Sequence, residues 1–355
     1  MYYPSTSSFN LRKKMTLQFF TLSMTFLLLK CTFIIAVNEA SIALFPSQEY
    51  IIQMARLSDV IYKFKHEKNC DNIYPHSKDP HISPNVSCHL YLHDHIQGTQ
   101  AMIVTDPVHK YIVVIFAGTD DLRTMMADGD LLMKPFELLP NTSVHRGIEN
   151  SLFEHHVDRV LLNKVTELKQ RYRDYSFFTT GHSLGAGSAI LLATTMILRN
   201  NTLFDTIISI NFACPRIGNK AFVKALRTFE PQLQIWRVVM GYDVIARLPK
   251  YPFKHVGHTI QLGGREVKGK AKIYYHHVGN TTLGYAGVPR NWYSQAFAHF
   301  HEGLLEHRMR NYVDFIQSYP RVVFNLNHFE SLPENIEKSS VNIDDNYKIN
   351  LTVIQ

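Results

Sequence analysis

Apolar residues along this chain fall into short continuous runs and into longer runs with helical spacing. The short runs, rich in β-branched and aromatic residues, predict strands at 101–106, 111–117, 175–180, 205–213 and 234–240, with two shorter strands at 259–262 and 271–275. The longer runs predict helices at 47–64, 149–171, 186–198, after Asn219 to about 229, and at 300–319. Because strands alternate with helices, the sequence predicts one α/β domain with a mainly parallel central sheet.

One stretch joins a predicted strand to a predicted helix through glycines. Gly181-His-Ser-Leu-Gly185 lies between the strand at 175–180 and the Ala- and Leu-rich helix that follows it. A sharp strand-to-helix turn needs small neighbours, and it would hold the Ser183 hydroxyl at the carboxyl edge of the sheet, beside the N–H groups of the helix start. We therefore predict that Ser183 is a nucleophile. The alternative is a structural turn that contains a serine by chance.

A serine nucleophile needs a base, and the base needs an orienting carboxylate. In α/β-hydrolases the order along the chain is Ser, then Asp or Glu, then His. Asp243 comes soon after the strand at 234–240 and is the predicted acid, with a plain turn former as the alternative. Two backbone N–H groups must bind the oxyanion. The predicted donors are Leu184, directly after the nucleophile, and Thr119, in the turn after the strand at 111–117.

The base has many candidates, because the chain contains 19 histidines. Those that follow Asp243 are His255, His258, His276, His277, His299, His301, His307 and His328. His307 lies where a predicted loop meets a predicted helix, 64 residues after Asp243 (307 − 243). The residues alone leave the choice among these histidines open.

Between Asp120 and Phe136, apolar residues are interleaved with charges in a pattern that fits neither a core element nor a solvated loop. The apolar residues concerned are Leu122, Met125, Met126, Leu132 and Met133. A buried core segment is one interpretation, but Asp128-Gly-Asp130 argues against deep burial. We predict that Asp120 to Phe136 forms a mobile amphipathic flap, which we call the lid.

The formal net charge is +7, but the basic residues are scattered and form no run longer than Arg12-Lys-Lys14. Since no basic–aromatic motif occurs, nucleic acid is not an expected partner. The charge indicates a mild attraction to anionic interfaces. No cluster of His, Cys, Asp and Glu has the spacing of a metal site, so neither a metal nor another cofactor is expected.

The beginning of the chain has the character of a secretory leader. A basic triplet precedes the apolar stretch Met15 to Val37, which is interrupted by Lys30. The alternative is an uncleaved signal anchor in which this lysine reaches towards the interface. We predict a leader over 1–40, one α/β domain over 41–325 and a tail over 326–355.

Cysteines and glycosylation sequons fit an oxidising compartment. Cys70 and Cys88 flank a polar, Pro-containing loop, and we predict that they pair. Cys214 lies at a predicted strand and is expected to be a buried free thiol. Sequons occur at Asn85, Asn141, Asn200, Asn280 and Asn350. Together with the leader, these features predict a secreted protein or one in the lumen of an endomembrane compartment.

From about Ala55 to Tyr319 the chain resembles the class 3, or fungal-type, lipases. The resemblance rests on an ordered set of motifs: Phe116-Ala-Gly-Thr119, Val144-His-Arg-Gly-Ile148, Gly181-His-Ser-Leu-Gly185, Pro215-Arg-Ile-Gly-Asn219, Asp243-Val-Ile-Ala-Arg-Leu-Pro249, and His307 with Tyr312. It implies an α/β-hydrolase core with helices on both faces of the sheet and a lid over the site. It also implies Ser183 as nucleophile, Asp243 as acid and His307 as base, with Thr119 and Leu184 forming the oxyanion hole.

The resemblance implies hydrolysis of lipid acyl esters at a membrane or emulsion interface, through an acyl-enzyme on Ser183. The expected activity is that of a triacylglycerol lipase or esterase, with phospholipase A1 or diacylglycerol lipase as alternatives. A non-catalytic lipid-binding protein on the same fold is the alternative from another functional class. Acyl chain length, head group and oligomeric state are left open.

Overall fold

The computed structural model describes most of the predicted α/β domain. The described residues are 46–64, 82–119, 132–200, 202–240, 243–249, 251–262, 272–276, 303–318, 323–325, 341–343, 348–350 and 353–354. The chain divides into two compact units, 1–45 and 46–355, and all described residues belong to the second unit. The predicted leader lies outside the described residues, and the predicted domain boundaries stay predictions.

A mixed β-sheet forms the centre of the second unit. Its main strands are β1 Ser87–Asp94, β2 Thr99–Asp106, β3 Tyr111–Phe116, β6 Ser176–His182, β7 Ile207–Phe212, β8 Leu233–Met240, β9 His258–Leu262 and β10 Lys272–His276. They lie in the order β1-β2-β3-β6-β7-β8-β9-β10. Neighbours from β3 to β9 run parallel, whereas the pairs β1–β2, β2–β3 and β9–β10 are antiparallel. This arrangement confirms the predicted mainly parallel sheet.

Short strands complete the β-structure of the described residues. β4 Met133–Pro135 and β5 Ser143–His145 form a separate antiparallel hairpin. β11 Val323–Asn325, β12 Val341–Ile343, β13 Lys348–Asn350 and β14 Val353–Ile354 join the main sheet beside β10. The hairpin bears on the site because β4 lies inside the segment predicted as a lid, Asp120 to Phe136.

Helices cover both faces of the sheet, as predicted. They are α1 Gln48–Val60, α2 Arg146–Phe153, α3 Val157–Arg171, α4 Leu184–Arg199, α5 Lys220–Arg227 and α6 Met309–Ser318, with a 3₁₀ turn at Ile61–Phe64. Adjacent residues of β6 show the two faces, since side chains alternate along a strand. The ring of Phe178 lies 4.9 Å from that of Tyr50 on α1, whereas Phe177 packs in the apolar core with α4 and contacts Phe204 at 4.8 Å.

The structure corrects two predicted helices. The single helix expected at 149–171 is two helices, α2 and α3, because His156 takes a left-handed conformation (φ 58°) that an α-helix does not allow. The helix expected at 300–319 is likewise interrupted: a helical turn at 303–306 ends before His307, and α6 begins at Met309. Both breaks separate segments whose apolar spacing runs on without a visible stop signal.

Strand β1 and the β4–β5 hairpin were not predicted. After its exposed first residue, β1 is half-buried along its length, so its side chains give no clear alternation between buried and exposed positions. The strands of the hairpin are three residues each, too short for a periodic signal. In the part of the chain that the structure describes, no helix has the length and apolar character needed to cross a membrane.

Candidate active site

Ser183 lies in the turn between β6 and α4, in a backbone conformation that is rare for a residue with a side chain (φ 58°, ψ −128°). Such a conformation stores strain and persists because neighbouring structure enforces it. A Cβ on Gly181 would come within 2.5 Å of the Gly185 carbonyl oxygen, and a Cβ on Gly185 within 2.3 Å of that of Ala117. Both glycines are therefore required by close backbone approach, as expected for a nucleophile turn.

Three side chains from distant parts of the chain meet at this turn. His307 Nε2 lies 2.9 Å from Ser183 Oγ, and His307 Nδ1 lies 2.9 Å from both carboxylate oxygens of Asp243. All three residues are fully buried. The structure thus brings together the predicted nucleophile, base and acid in one hydrogen-bonded line.

Other candidate bases are bound elsewhere or lie outside the described residues. His255 Nδ1 accepts a hydrogen bond from buried Arg237, and His258 pairs with Glu230 at 3.2 Å. Side chains of the remaining candidates, His276, His277, His299, His301 and His328, are not described. His307 is placed by the break before α6, which the helical pattern did not reveal.

Asp243 is held by donors from three directions besides His307. The N–H groups of Ile245 and Ala246 donate to Oδ1 at 2.9 and 3.2 Å, and the Tyr312 hydroxyl donates to Oδ2 at 2.6 Å. Burial by itself raises the pKa of Asp243, but His307 and these hydrogen bonds outweigh it, so the pKa lies below its usual value. The acid is therefore an ionised carboxylate inside the domain.

This charge state fixes the tautomer of the base. An ionised carboxylate only accepts hydrogen bonds, so His307 carries its proton on Nδ1. In the neutral ring Nε2 then carries no proton and accepts the hydrogen bond from the Ser183 hydroxyl. Burial, followed by the charge of Asp243, raises the pKa of Tyr312 well above its usual value, so this hydroxyl remains a donor. The arrangement is ready to take a proton from the serine.

The turn after β3 lies against the nucleophile turn. A Cβ on Gly118 would come within 2.8 Å of Ser183 Cβ and within 2.7 Å of the His182 carbonyl oxygen. Thr119 follows Gly118 directly, and Leu184 is the first residue of α4, where N–H groups lack partners within the helix. Both predicted oxyanion donors are therefore on segments that border Ser183, and their role stays a prediction.

Tyr62 and His182 also contribute to the site, and the sequence analysis assigned no role to either. The Tyr62 hydroxyl lies 2.7 Å from His182 Nδ1, and His182 Nε2 lies 2.6 Å from the carbonyl oxygen of His307. His182 stands inside the G-H-S-L-G motif, which was the available signal for it. Tyr62 comes from the 3₁₀ turn after α1, and nothing in its local sequence connects it with Ser183.

The segment predicted as a lid lies partly outside the described residues, and the lid stays a prediction. Leu122, Met125 and Met126 lie outside the described residues, and Leu132 is 55% exposed. Met133, however, is part of β4 and pairs with His145, and the ring of Phe136 is buried 5.5 Å from that of Phe222. A mobile segment must therefore end before Met133, because the following residues are fixed by the hairpin and the core.

The remaining predicted sites fall into three groups. Cys214 is a free, buried thiol, as expected, whereas Cys70 lies outside the described residues. Of the sequon asparagines, Asn85 and Asn141 are exposed, Asn200 is half-buried, Asn280 lies outside the described residues, and only the backbone of Asn350 is described. Among the described residues, no group of three or more His, Cys, Asp or Glu is arranged to hold a metal ion.

Comparison with known proteins connects this geometry to a family. Residues 113–253 match the family model "Lipase (class 3)", a range that holds Ser183 and Asp243 and ends before His307. A lipase from Rhizomucor miehei is 28% identical over 165 residues, which cover 46% of this chain and 44% of the relative. The secreted mono- and diacylglycerol lipase 1 of Fusarium solani is 27% identical over 169 residues, which cover 47% of this chain and 48% of the relative. The match thus spans less than half the length of these curated relatives.

A solved structure has the same fold over a larger share of the chain. The lipase of Rhizopus microsporus var. chinensis superposes with a TM-score of 0.54 at 21% sequence identity, over 60% of this chain and 74% of that chain. The likeness confirms the predicted α/β-hydrolase fold.

Proposed function

Because this chain belongs to the class 3 lipase family, we propose that it is a serine ester hydrolase acting on acyl esters of glycerolipids. One observation carries the proposal: Ser183 Oγ, the His307 ring and the Asp243 carboxylate form a continuous line with separations of 2.9 Å. A protein that only binds lipid would not need a strained serine aligned with a base and an ionised acid.

The geometry supports a two-step reaction. Ser183 attacks the ester carbonyl carbon as its proton passes to His307 Nε2, and the charge of Asp243 stabilises the resulting imidazolium. The N–H groups of Leu184 and Thr119 bind the oxyanion. His307 then gives the proton to the departing alcohol, which leaves an acyl-enzyme. A water molecule attacks this ester by the same proton transfers and releases the fatty acid and the free serine.

The proposed substrates are triacylglycerols and related glycerolipids at an interface. The Fusarium solani relative carries mono- and diacylglycerol lipase in its name, which favours diacylglycerol as a second candidate substrate. Phospholipase A1 activity, the other alternative from the sequence, is an outcome of the same lipid panel.

Access to the serine supports the proposed lid. Ser183 and His307 have no exposed surface in this arrangement, so an ester cannot reach them unless covering residues move. The segment before Met133 carries the apolar residues proposed for this movement, Leu122, Met125, Met126 and Leu132. Its apolar side would cover the pocket in water and bind lipid when displaced.

We also propose that the protein is secreted or luminal, with a cleaved leader or an anchor at 1–40. Exposed sequon residues Asn85 and Asn141 support glycosylation at these two sites. Cys88 is disulfide-bonded, which supports the proposed bridge to Cys70. The secreted relative from Fusarium solani points in the same direction.

The test is hydrolysis of a lipid panel together with labelling by a fluorophosphonate. The panel contains tri-, di- and monoacylglycerol emulsions and phosphatidylcholine vesicles. We expect hydrolysis and labelling by the wild type, and loss of both in Ser183→Ala with unchanged circular dichroism. His307→Ala should reduce kcat about as much as Ser183→Ala, on the order of 10⁶-fold, because the three residues act as a unit. An active Ser183→Ala would contradict the serine mechanism.

A further inference from the structure

A second histidine lies beside the proposed base and takes no part in the proposed proton transfers. The ring of His182 lies 4.6 Å from the ring of His307, and it is 5% exposed. Its two nitrogens bind different parts of the site: Nε2 the backbone carbonyl of His307 at 2.6 Å, and Nδ1 the hydroxyl of Tyr62 at 2.7 Å. The Tyr62 oxygen also accepts the N–H of Gly118 at 2.9 Å.

The chemistry of these partners fixes the direction of every hydrogen bond. A carbonyl oxygen only accepts, so His182 carries its proton on Nε2 and donates it to His307. Nδ1 is then an acceptor, and the Tyr62 hydroxyl must donate to it. That leaves the Tyr62 oxygen to accept from Gly118. We call this series, Gly118 to Tyr62 to His182 to the His307 carbonyl, the Tyr62–His182 chain.

His182 is a neutral partner for the base. Burial, followed by the nearby His307, lowers the pKa of His182 to about 3. When His307 becomes an imidazolium during the proposed reaction, the ring beside it therefore adds no second positive charge. A protonated residue at this position would oppose that step, because like charges at short range in a buried site repel strongly.

The Tyr62–His182 chain ends at the two parts of the site that have to be placed most accurately. Gly118 directly precedes Thr119, a proposed oxyanion donor, and His307 lies between the 303–306 turn and α6. The backbone of His307 is held on one side by its own N–H, which donates to Gly303 at 3.2 Å, and on the other by His182. Tyr62 and His182 thus connect a loop-borne base to the turn after β3.

We infer that Tyr62 and His182 are positioning residues. They hold the turn after β3, which carries Thr119, and the backbone of His307 in their places around Ser183. This inference rests on the proposed function, because it concerns the same site. Neither residue exchanges a proton with substrate. Their effect is on the alignment of donors and base, which matters more in the transition state than in substrate binding.

Tyr62→Phe removes one hydroxyl and leaves two buried partners, the Gly118 N–H and His182 Nδ1, without their hydrogen bonds. On a short soluble ester, which bypasses interfacial effects, we expect kcat to fall about 5- to 100-fold with KM changed less than twofold. The matched control is Tyr111→Phe. Tyr111 is also buried, and its hydroxyl forms a hydrogen bond with Asp106. It lies at the amino end of β3, whereas the site lies beyond the carboxyl ends of the parallel strands. That control should keep the wild-type kcat.

A second pair of variants separates the two links of His182. Gln places an amide donor near the position of Nε2, and Asn places an acceptor near the position of Nδ1. We expect His182→Gln to keep the link to His307 and lose the link to Tyr62, so that adding Tyr62→Phe to it has less effect on kcat than Tyr62→Phe has alone. His182→Asn should lose the link to His307 and lower kcat in its own right.

The inference would be overturned if the wild type is active and the kcat values of Tyr62→Phe and His182→Gln both lie within twofold of the wild-type value. Equal loss of kcat in Tyr111→Phe would overturn it as well, because the effect would then be general destabilisation. Wild-type protein that neither hydrolyses esters nor reacts with a fluorophosphonate would instead refute the proposed function, and the inference with it. If Tyr62→Phe does not fold, the drop in kcat expected for His182→Gln and for His182→Asn decides the question.

Discussion

At the scale of single residues, the site depends on how the Asp243 carboxylate is kept ionised without solvent. Two backbone N–H groups, the Tyr312 hydroxyl and His307 all donate to it. Tyr312 is itself held by the N–H of Met240 at 3.0 Å, so its hydroxyl has one direction left in which to donate. A buried charge is tolerated when it is paired and hydrogen-bonded in this way.

Tyr312→Phe should destabilise the protein and reduce activity. Removing the hydroxyl deprives Asp243 and the Met240 N–H of a partner, which costs about 1–3 kcal/mol of unfolding free energy at pH 7. It also raises the pKa of Asp243 towards its usual value. A carboxylate whose pKa is lowered in the folded protein stabilises it at any pH above the pKa of the unfolded chain, and this stabilisation is lost as pH falls. The difference in unfolding free energy between Tyr312→Phe and wild type should therefore narrow below about pH 4. Urea unfolding of both proteins between pH 7 and about pH 3 measures this difference. A difference that widens in acid would contradict this account.

At the scale of elements, the nucleophile turn depends on how closely α4 approaches β3. The first turn of the helix lies against the backbone at the end of that strand, and Gly185 faces the carbonyl groups of Phe116 and Ala117. Gly187, two residues further along, faces the side chains of Ile148 and Ile217. The two glycines therefore differ in what an added methyl group would meet.

Gly185→Ala should be more damaging than Gly187→Ala. At Gly185 a Cβ would meet the Ala117 carbonyl oxygen at 2.3 Å, and backbone at the centre of a sheet cannot move aside. At Gly187 the nearest atom is the end of the Ile148 side chain at 2.6 Å, which can rotate. We expect Gly185→Ala to cost 3 kcal/mol or more, the upper end of the roughly 1–3 kcal/mol typical of overpacking, and to abolish activity. Thermal unfolding and ester hydrolysis are measured for both variants. Equal effects of Gly185→Ala and Gly187→Ala would contradict this interpretation.

The proposed lid is the second element whose behaviour can be tested. Met125→Asp combined with Met126→Asp should suppress turnover of an emulsion more than turnover of a short soluble ester. Burying an apolar side chain of this size is worth roughly 1.5–3 kcal/mol, so a few such residues can shift the balance between covered and open states. The control is Val108→Asp, an exposed apolar position in the turn between β2 and β3, at the opposite edge of the sheet. Equal loss on both substrates would mean that the segment is structural.

At the scale of the whole molecule, the parallel strands carry the ends of β3, β6 and β8 to one edge. Thr119, Ser183 and Asp243 follow these strands, so sheet topology alone brings them together. The same burial that aligns the site leaves neutral histidines inside the domain. Burial lowers the pKa of His182 to about 3 and that of His255 well below its usual value.

Because His182 and His255 are buried and neutral, we expect the free energy of unfolding to fall in mild acid. The unfolded chain takes up protons near pH 6.5 at both residues, whereas the folded protein does not, so unfolding becomes more favourable as pH falls below that value. The loss approaches about 1.4 kcal/mol per pH unit for each histidine, or about 2 kcal/mol each between pH 7 and pH 5. His255→Asn, whose amide oxygen can still accept from Arg237, should reduce this dependence by about one proton. A free energy of unfolding that does not change over this range would refute the prediction.

The sequence by itself determined the order of the main strands and helices, because apolar periodicity is a local property. It also predicts Ser183 as nucleophile and Asp243 as acid, since each follows a strand end and stands in a motif. The glycines of the nucleophile turn were likewise predicted from the space that a sharp turn leaves.

Tertiary structure decided what depends on residues far apart in the chain. The residues alone did not choose His307 among eight histidines, although the family resemblance implied it, because only packing places it 2.9 Å from Ser183. Tyr62 reaches His182 from 120 positions away through the docking of α1, which no local pattern records. Packing likewise places the last residues of the predicted lid, since Met133 pairs with His145 and Phe136 lies in the core. Local sequence sets which elements form, whereas the neighbours of a side chain depend on how those elements pack.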